Sequence, residues 1–161
     1  MKKKIIITGG LGYIGTELCK LYSGVSWNNE IIIIDNRFVS ERVNQLRNWN
    51  MEFVQGDILD KQLINKHFKD ADVVHHLAGI TEVPRTKSEA NKEQDDKIKT
   101  VAEEGTQNIL DAISDKCKII FPSTHVVYEG MEKIQNEISE NEEVKPILSY
   151  SRSKALNEEQ L

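Results

Sequence analysis

Two groups of residues in this chain have types and spacings that could do chemistry. Toward the carboxyl end, Tyr150-Ser151-Arg152-Ser153-Lys154 sets a phenol and an ammonium four residues apart. Side chains at that spacing share one side of a helix, and a nearby cation favours a phenolate, which makes a tyrosine usable as a base near neutral pH. Taken alone, such a pair is ordinary surface chemistry. Toward the amino end, the run Lys4-Ile5-Ile6-Ile7-Thr8 feeds directly into Gly9-Gly10-Leu11-Gly12-Tyr13-Ile14-Gly15. The spacing Gly9-x-x-Gly12-x-x-Gly15 suits a turn on which a pyrophosphate lies, because glycines allow positive φ and close backbone approach. A helix starting near Leu11 would offer the anion unpaired N–H groups and a positive dipole end. A glycine turn often only joins a strand to a helix, but here a second apolar run, Ile31 to Ile34, ends in Asp35, 20 residues after Gly15. That is where an acidic group would meet the ribose hydroxyls of an adenosine, so the residues read as a dinucleotide site.

These groups need elements to hold them. Periodicity predicts a first helix from about Leu11 to Tyr22, with Ile14, Leu18 and Leu21 on its buried face, ended by Gly24. After the strand at Ile31, a loop and short helix occupy residues 36–50, with Val43 and Leu46 as apolar contacts and Trp49 covering them. A third strand, Glu52 to Gln55, precedes Gly56-Asp57-Ile58. Asp60 then N-caps a helix whose Leu63, Ile64, His67 and Phe68 share a face. The fourth strand, Ala71 to Leu77, runs into Ala78-Gly79, where small residues would let a ligand approach the backbone. The polar stretch Pro84 to Lys99 reads as a solvated helix face or mobile loop. From Ile98 the apolar steps Ile98, Val101, Gly105, Ile109 and Ala112 predict a packed helix. A fifth strand, Lys118 to Phe121, leads through Pro122 to Ser123-Thr124, and Leu148 to Leu161 reads as a helix carrying Tyr150 and Lys154. Strands alternating with helices imply right-handed crossovers and an α/β, doubly wound parallel sheet of order 3-2-1-4-5. Ligands sit beyond the carboxyl ends of such strands, where the glycine turn, Asp35, Gly56-Asp57-Ile58, Ala78-Gly79 and Ser123-Thr124 all fall. Thr124 could hydrogen-bond the same substrate oxygen as Tyr150.

Bulk properties narrow the classes. The chain's 161 residues, 39% hydrophobic, match one domain with a single core. A net charge of −5, with Lys2-Lys3-Lys4 as the longest basic run, argues against nucleic acid or an acidic membrane as a partner. The apolar stretch behind those lysines is too short for an export signal or a membrane span. Cys19 and Cys117 are isolated, which reads as reduced thiols in a cytoplasmic protein without a zinc site. His75 and His76, adjacent on a strand, point to opposite faces and read as packing residues rather than joint metal ligands. Trp27 and Trp49 read as partial core, and His125 as a residue that packs under its loop.

Taken together, several motifs in order resemble the extended short-chain dehydrogenase/reductases, the NAD-dependent nucleotide-sugar epimerases and dehydratases. They are Thr8 to Gly15, Gly56-Asp57-Ile58, His76-Leu77-Ala78-Gly79, Ser123-Thr124 with Val127-Tyr128, and Tyr150-Ser151-Arg152-Ser153-Lys154. The resemblance implies a Rossmann-type NAD-binding domain over residues 1–161. It implies cofactor contacts from Gly9, Gly12, Tyr13, Ile14, Gly15, Asp35, Asn36, Asp57, Ile58, Leu77, Ala78 and Gly79, with Asp57 and Ile58 at the adenine. It also implies Thr124, Tyr150 and Lys154 as the catalytic residues. In that scheme the tyrosine takes a sugar hydroxyl proton as hydride passes to the nicotinamide, and the lysine also holds the nicotinamide ribose.

Within the family, 4,6-dehydratases carry Asp-Glu directly after the catalytic Thr, and this chain has His125-Val126 there. The decarboxylating relatives tend to carry Glu where Val126 stands. What remains is a reaction like that of UDP-glucose 4-epimerase, with a nucleotide sugar as substrate and NAD recycled through a transient 4-keto intermediate. The alternatives are a reductase or dehydratase of another substrate on the same scaffold, and an inactive NAD-binding module or fragment. Two departures from the family pattern stand out. Ala102 replaces an Asn three residues before Gly105-Thr106, and Val127-Tyr128-Glu129-Gly130 is one residue longer than Val-Tyr-Gly. Leu161 falls seven residues past Lys154, inside the helix of the pair. The expectation is therefore a chain lacking the C-terminal substrate-binding portion, inactive as an epimerase by itself. Its fifth strand would be an open edge through which a homodimer could form.

Overall fold

A computed structural model describes residues 2–81, 91–132 and 137–161. The chain divides into two compact units. The first comprises residues 1–79 and 107–122, the second residues 80–106 and 123–161.

The first unit holds a parallel sheet of β1 (Lys4–Thr8), β2 (Glu30–Asp35), β3 (Glu52–Gln55), β4 (Val73–His76) and β5 (Lys118–Ile120), in the order β3-β2-β1-β4-β5. The expected order 3-2-1-4-5 is the one observed. Register explains why the isoleucine runs need no alternation. Ile5 and Ile7 pair with Ile31 and Ile33 on one face, Ile6 pairs with Ile32 on the other, and all of them are buried. A sheet covered on both faces needs apolar residues at every step. On the first face, α1 (Tyr13–Tyr22) and α2 (Ser40–Asn48) contribute Cys19, Val43 and Leu46 to one core with Leu11 and Met51, and Trp49 packs at its margin. The end of α2 is set by Asn50, whose φ of 54° is left-handed. Its N–H donates to Arg47 O while Met51 N–H donates to Leu46 O at 2.9 Å, the paired bonds that close a helix terminus. The helix α3 (Lys61–Phe68) starts where expected: the Asp60 carboxylate accepts from Gln62 N–H and Leu63 N–H, and Ile64 and Phe68 are fully buried.

The second unit contains most of α4 (Lys92–Ala112), a 3₁₀ turn at His125–Tyr128, and α5 (Ser149–Gln160). The last turns of α4, from Gln107, belong to the first unit. This helix begins six residues before the predicted start at Ile98, because Asn91 caps it by accepting from Glu93 N–H at 2.9 Å. Its polar opening turns, with Glu93, Asp96 and Lys97 exposed, are the solvated face predicted there. The part of that stretch before residue 91 lies outside the described residues.

Two expectations fail. Ile14 and Leu21 are 58% and 78% exposed, and the buried positions of α1 are Gly15 and Cys19. Gly15 lies so close under the turn that a Cβ there would stand 2.5 Å from Gly9 O. That contact turns Gly15 inward, and the 3.6-residue repeat then carries Leu18, Cys19 and Tyr22 in with it and leaves Ile14 and Leu21 outside. Trp27, in a 3₁₀ turn at Ser26–Asn28, is 72% exposed, because the inward residue of that turn is Ser26. Among the described residues, no helix is long and apolar enough to cross a membrane.

Candidate functional site

The first unit gathers four strand ends at the carboxyl edge of its sheet. At the end of β1, Gly9 has a φ of +66°, and a Cβ there would meet Ala78 N at 2.8 Å, so no other residue fits between the β1 and β4 ends. Gly12 N–H donates to Gly9 O at 3.0 Å and closes the turn, and Gly12 is the N-cap of α1 with no side-chain bond to the helix. An α-helix leaves its first N–H groups without intrahelical partners. At α1 these belong to Tyr13, Ile14 and Gly15, which makes the start of the helix a seat for an anion. Tyr13 and Ile14 both hold exposed side chains beside it.

Asp35 ends β2 and is buried. Its Oδ2 accepts from Leu11 N–H at 3.0 Å, and its Oδ1 accepts from Arg37 N–H at 3.0 Å, with Arg37 Nε at 3.4 Å. The carboxylate therefore holds the glycine turn. After β3, Asp57 Oδ2 accepts from the Asn36 amide at 3.1 Å and Oδ1 accepts from Leu59 N–H, while Ile58 is buried. The carbonyl of Ile58 accepts from Asn108 Nδ2 at 3.0 Å, so the buried amide on α4 fixes this segment. After β4, Ala78 N–H donates to Thr8 Oγ1, whose hydroxyl lies 3.0 Å from His76 Nδ1. Beyond it, Gly79 has open space where a Cβ would be. The two adjacent histidines face opposite sides as expected. His76 meets Thr8 and the Phe121 ring, while His75 Nε2 lies 2.8 Å from Tyr22 Oη and its burial lowers its pKa.

The second unit holds Thr124, Tyr150 and Lys154. Thr124 N-caps the 3₁₀ turn in extended conformation, its hydroxyl accepting from Val126 N–H, which leaves its own O–H to donate. On α5, Lys154 Nζ lies 5.8 Å from the centre of the Tyr150 ring, so the i, i+4 pair does share a side of the helix. Both side chains are half-buried. Burial lowers the Lys154 pKa, and the Glu158 carboxylate acts against that. Glu158 is itself held by the Ser123 hydroxyl. His125 is exposed rather than packed under the loop. A phenol with an ammonium over its ring and a threonine hydroxyl in the same unit can pass a proton to and from a substrate hydroxyl.

A family model described as 3-beta hydroxysteroid dehydrogenase/isomerase matches residues 6–161. The chain belongs to this family. It is one of the extended short-chain dehydrogenase/reductases that the motifs resemble. Over 170 residues it is 31% identical to dTDP-D-glucose 4,6-dehydratase of Dictyostelium discoideum, an alignment covering 95% of this chain and 38% of that protein. It is also 31% identical to UDP-glucose 4-epimerase of Neisseria meningitidis serogroup C, over 82% of this chain and 40% of that one. Among solved structures, UDP-glucose 4-epimerase from Brucella ovis in complex with NAD matches with a TM-score of 0.78 at 29% identity, covering 99% of this chain and 46% of that chain. The chain thus spans less than half the length of these relatives.

In this member of the 3-beta hydroxysteroid dehydrogenase/isomerase family, two supporting residues, Asn108 and Asn157, are not evident from the sequence motifs, and a third, Glu129, is evident only in part. Asn108 is a polar residue on an otherwise apolar helix face, a signal that could have been read. Asn157 Nδ2 lies 2.8 Å from Ala102 O and 2.9 Å from Thr106 Oγ1, so an amide from α5 holds that segment of α4. Glu129, the extra residue after Tyr128, was visible as a departure, but its hydrogen bonds were not.

Proposed function

We propose that this chain is the cofactor-binding and proton-transferring part of an NAD-dependent enzyme that epimerises a nucleotide sugar through a transient 4-keto intermediate. The observation that carries the reading is Lys154 Nζ over the Tyr150 ring on α5, in the unit that also holds Thr124. The first unit offers groups that suit NAD: an uncapped helix start whose N–H groups can donate to the pyrophosphate, and a carboxylate that can accept from a ribose diol.

Gly9, Gly12 and Gly15, with the N–H groups of Tyr13 and Ile14, would hold the pyrophosphate. Asp35 and Asn36 would take the adenosine ribose, Asp57 and Ile58 the adenine, and Leu77, Ala78 and Gly79 would lie along the cofactor. NAD bound there would supply a reversible hydride acceptor, so the reaction would have no net redox change. Tyr150 Oη takes the proton of the sugar's 4-hydroxyl and later returns it. Lys154 keeps the phenolate favoured and holds the nicotinamide ribose, and Thr124 donates to the substrate oxygen. His125 and Val126 stand at the positions where a dehydratase carries Asp-Glu, so the carboxyl acid and base of that reaction are not supplied there. Cytoplasmic placement, supported by the free thiols of Cys19 and Cys117, and a homodimer belong to the same reading.

The test is interconversion of UDP-glucose and UDP-galactose by the protein carrying this chain, wild type beside Tyr150→Phe. Losing the general base should lower turnover by roughly 10²–10⁴-fold while NAD binding survives. Turnover within a few-fold of wild type would remove Tyr150 from the chemistry, and release of a 4-keto-6-deoxy sugar would move the assignment to a dehydratase.

A further inference from the structure

The start of α5 lacks a cap of its own. Its N-cap residue is Leu148, whose side chain makes no hydrogen bond to the helix. Helix starts with an apolar N-cap leave N–H groups exposed to competition from water and tend to fray. Here an outside residue holds the N-cap N–H and the N–H before it. Glu129 Oε1 accepts from Ile147 N–H and from Leu148 N–H, both at 2.7 Å, and from the Ser151 hydroxyl. In a capping box the third helical residue reaches back to the N-cap N–H. Here that third residue is Ser151, and a carboxylate from another segment ties it to the N-cap N–H. A negative charge at this place also complements the helix dipole.

The same segment is fixed through its backbone. Lys145 N–H donates to Val127 O at 2.8 Å and Gly130 N–H donates to Lys145 O at 2.9 Å. A Cβ on Gly130 would stand 2.5 Å from Lys145 O, so the approach requires glycine there. The inserted Glu129 therefore stands between two strands of contact. On one side is the 3₁₀ turn that Thr124 caps, and on the other is the helix on which Tyr150 and Lys154 ride.

We propose that Glu129 is a positioning residue that locks the first turn of α5 and so sets the Tyr150–Lys154 pair, which lies within one turn of the lock. Its role in a reaction rests on the reading of Tyr150 and Lys154 above. The lock itself does not. Burial alone would raise the Glu129 pKa, but the Ser151 hydroxyl, the Leu148 and Ile147 amides and the Arg152 guanidinium outweigh it, and the carboxyl lies below its ordinary value. It is thus an anion across the neutral range.

Amide hydrogen exchange and aromatic NMR on the full chain test this without requiring turnover. In Glu129→Ala, exchange at Ile147, Leu148 and Arg152 should speed up by roughly ten-fold, the scale of one lost helix cap. The Tyr150 ring signals should shift, and the contact between the Tyr150 ring and the Lys154 side chain should weaken. Glu129→Gln keeps an acceptor oxygen and should restore part of both effects. Tyr150→Phe should leave these exchange rates unchanged. Unchanged exchange in Glu129→Ala overturns the lock, and faster exchange with the Tyr150–Lys154 contact intact overturns the positioning role. If Tyr150→Phe keeps full epimerase turnover, the functional reading fails while the lock stands or falls on the exchange data.

Discussion

Replacing Asp35 by Asn separates what this carboxylate does for the fold from what it does for a cofactor. Its side chain is 4% exposed, with Leu11 N–H on Oδ2 and Arg37 N–H on Oδ1. An amide of the same shape has one acceptor oxygen and one NH₂ that only donates. Whichever way it turns, one N–H faces another donor. Leu11 is fully buried, so the oxygen should turn to Leu11 and leave Arg37 to water. An orphaned N–H costs roughly 1–3 kcal/mol when fully buried and less at this half-exposed edge. The Arg37 ion pair adds less than about 1 kcal/mol, because the arginine side chain is 61% exposed. Asn should therefore cost about 1–2 kcal/mol. Ala, which also orphans the buried Leu11 N–H, should cost about 2–4 kcal/mol. At about 2–4 °C per kcal/mol for a chain of this size, the melting temperature should fall by about 2–8 °C for Asn and further for Ala. Circular dichroism melts without nucleotide measure this. Calorimetric titration well below either melting temperature measures the second role: wild type should prefer NAD, because the carboxylate repels a 2′-phosphate, and Asn should lose that preference. An Asn variant melting within about 1 °C of wild type would refute the anchoring of the glycine turn. Equal or tighter NADP binding by wild type would refute the ribose role.

Gly15→Ala sets two effects of opposite sign against each other. Helix propensity favours Ala by up to about 1 kcal/mol, but the new Cβ would lie 2.5 Å from Gly9 O and 2.6 Å from Gly10 Cα, both backbone atoms that cannot step aside. Urea unfolding should show a net loss of roughly 1–3 kcal/mol, whereas Gly24→Ala, with nothing within 4 Å, should be neutral or stabilising. Burial pushes the Cys19 thiol up to about 12, so Cys19 should resist alkylation near pH 8 while half-buried Cys117 reacts faster. Because the folded pKa is above the unfolded one, this group's contribution is complete below its ordinary value of 9.0 and is lost as pH rises toward about 12. Alkaline urea titrations of wild type and Cys19→Ala should diverge in that window, and parallel curves would contradict the burial of the thiol.

Local sequence determined a good deal of this protein. The glycine turn, the Asp60 cap, the order of strands and helices and the pairing of Tyr150 with Lys154 all depend on residues within one or two turns of each other. Backbone sterics, capping and periodicity act over that range, and the sequence displays it directly. The parallel order 3-2-1-4-5 could be read as well, since right-handed crossovers leave few alternatives. Other features depend on which distant segments the chain brings together. Nothing within α1 announces that Gly15 must face Gly9 and Gly10, and the contact that decides it leaves Ile14 and Leu21 in solvent. Trp27 is exposed for a related reason, a turn whose inward position goes to Ser26. The clearest case is Glu129. As a letter in the sequence it is an extra residue in a motif, but its three hydrogen bonds go to Ile147, Leu148 and Ser151, 18 to 22 positions away. A carboxylate's partners are set by the path of the backbone between them, so only the tertiary structure could show that the inserted residue closes the start of the helix that carries Tyr150 and Lys154.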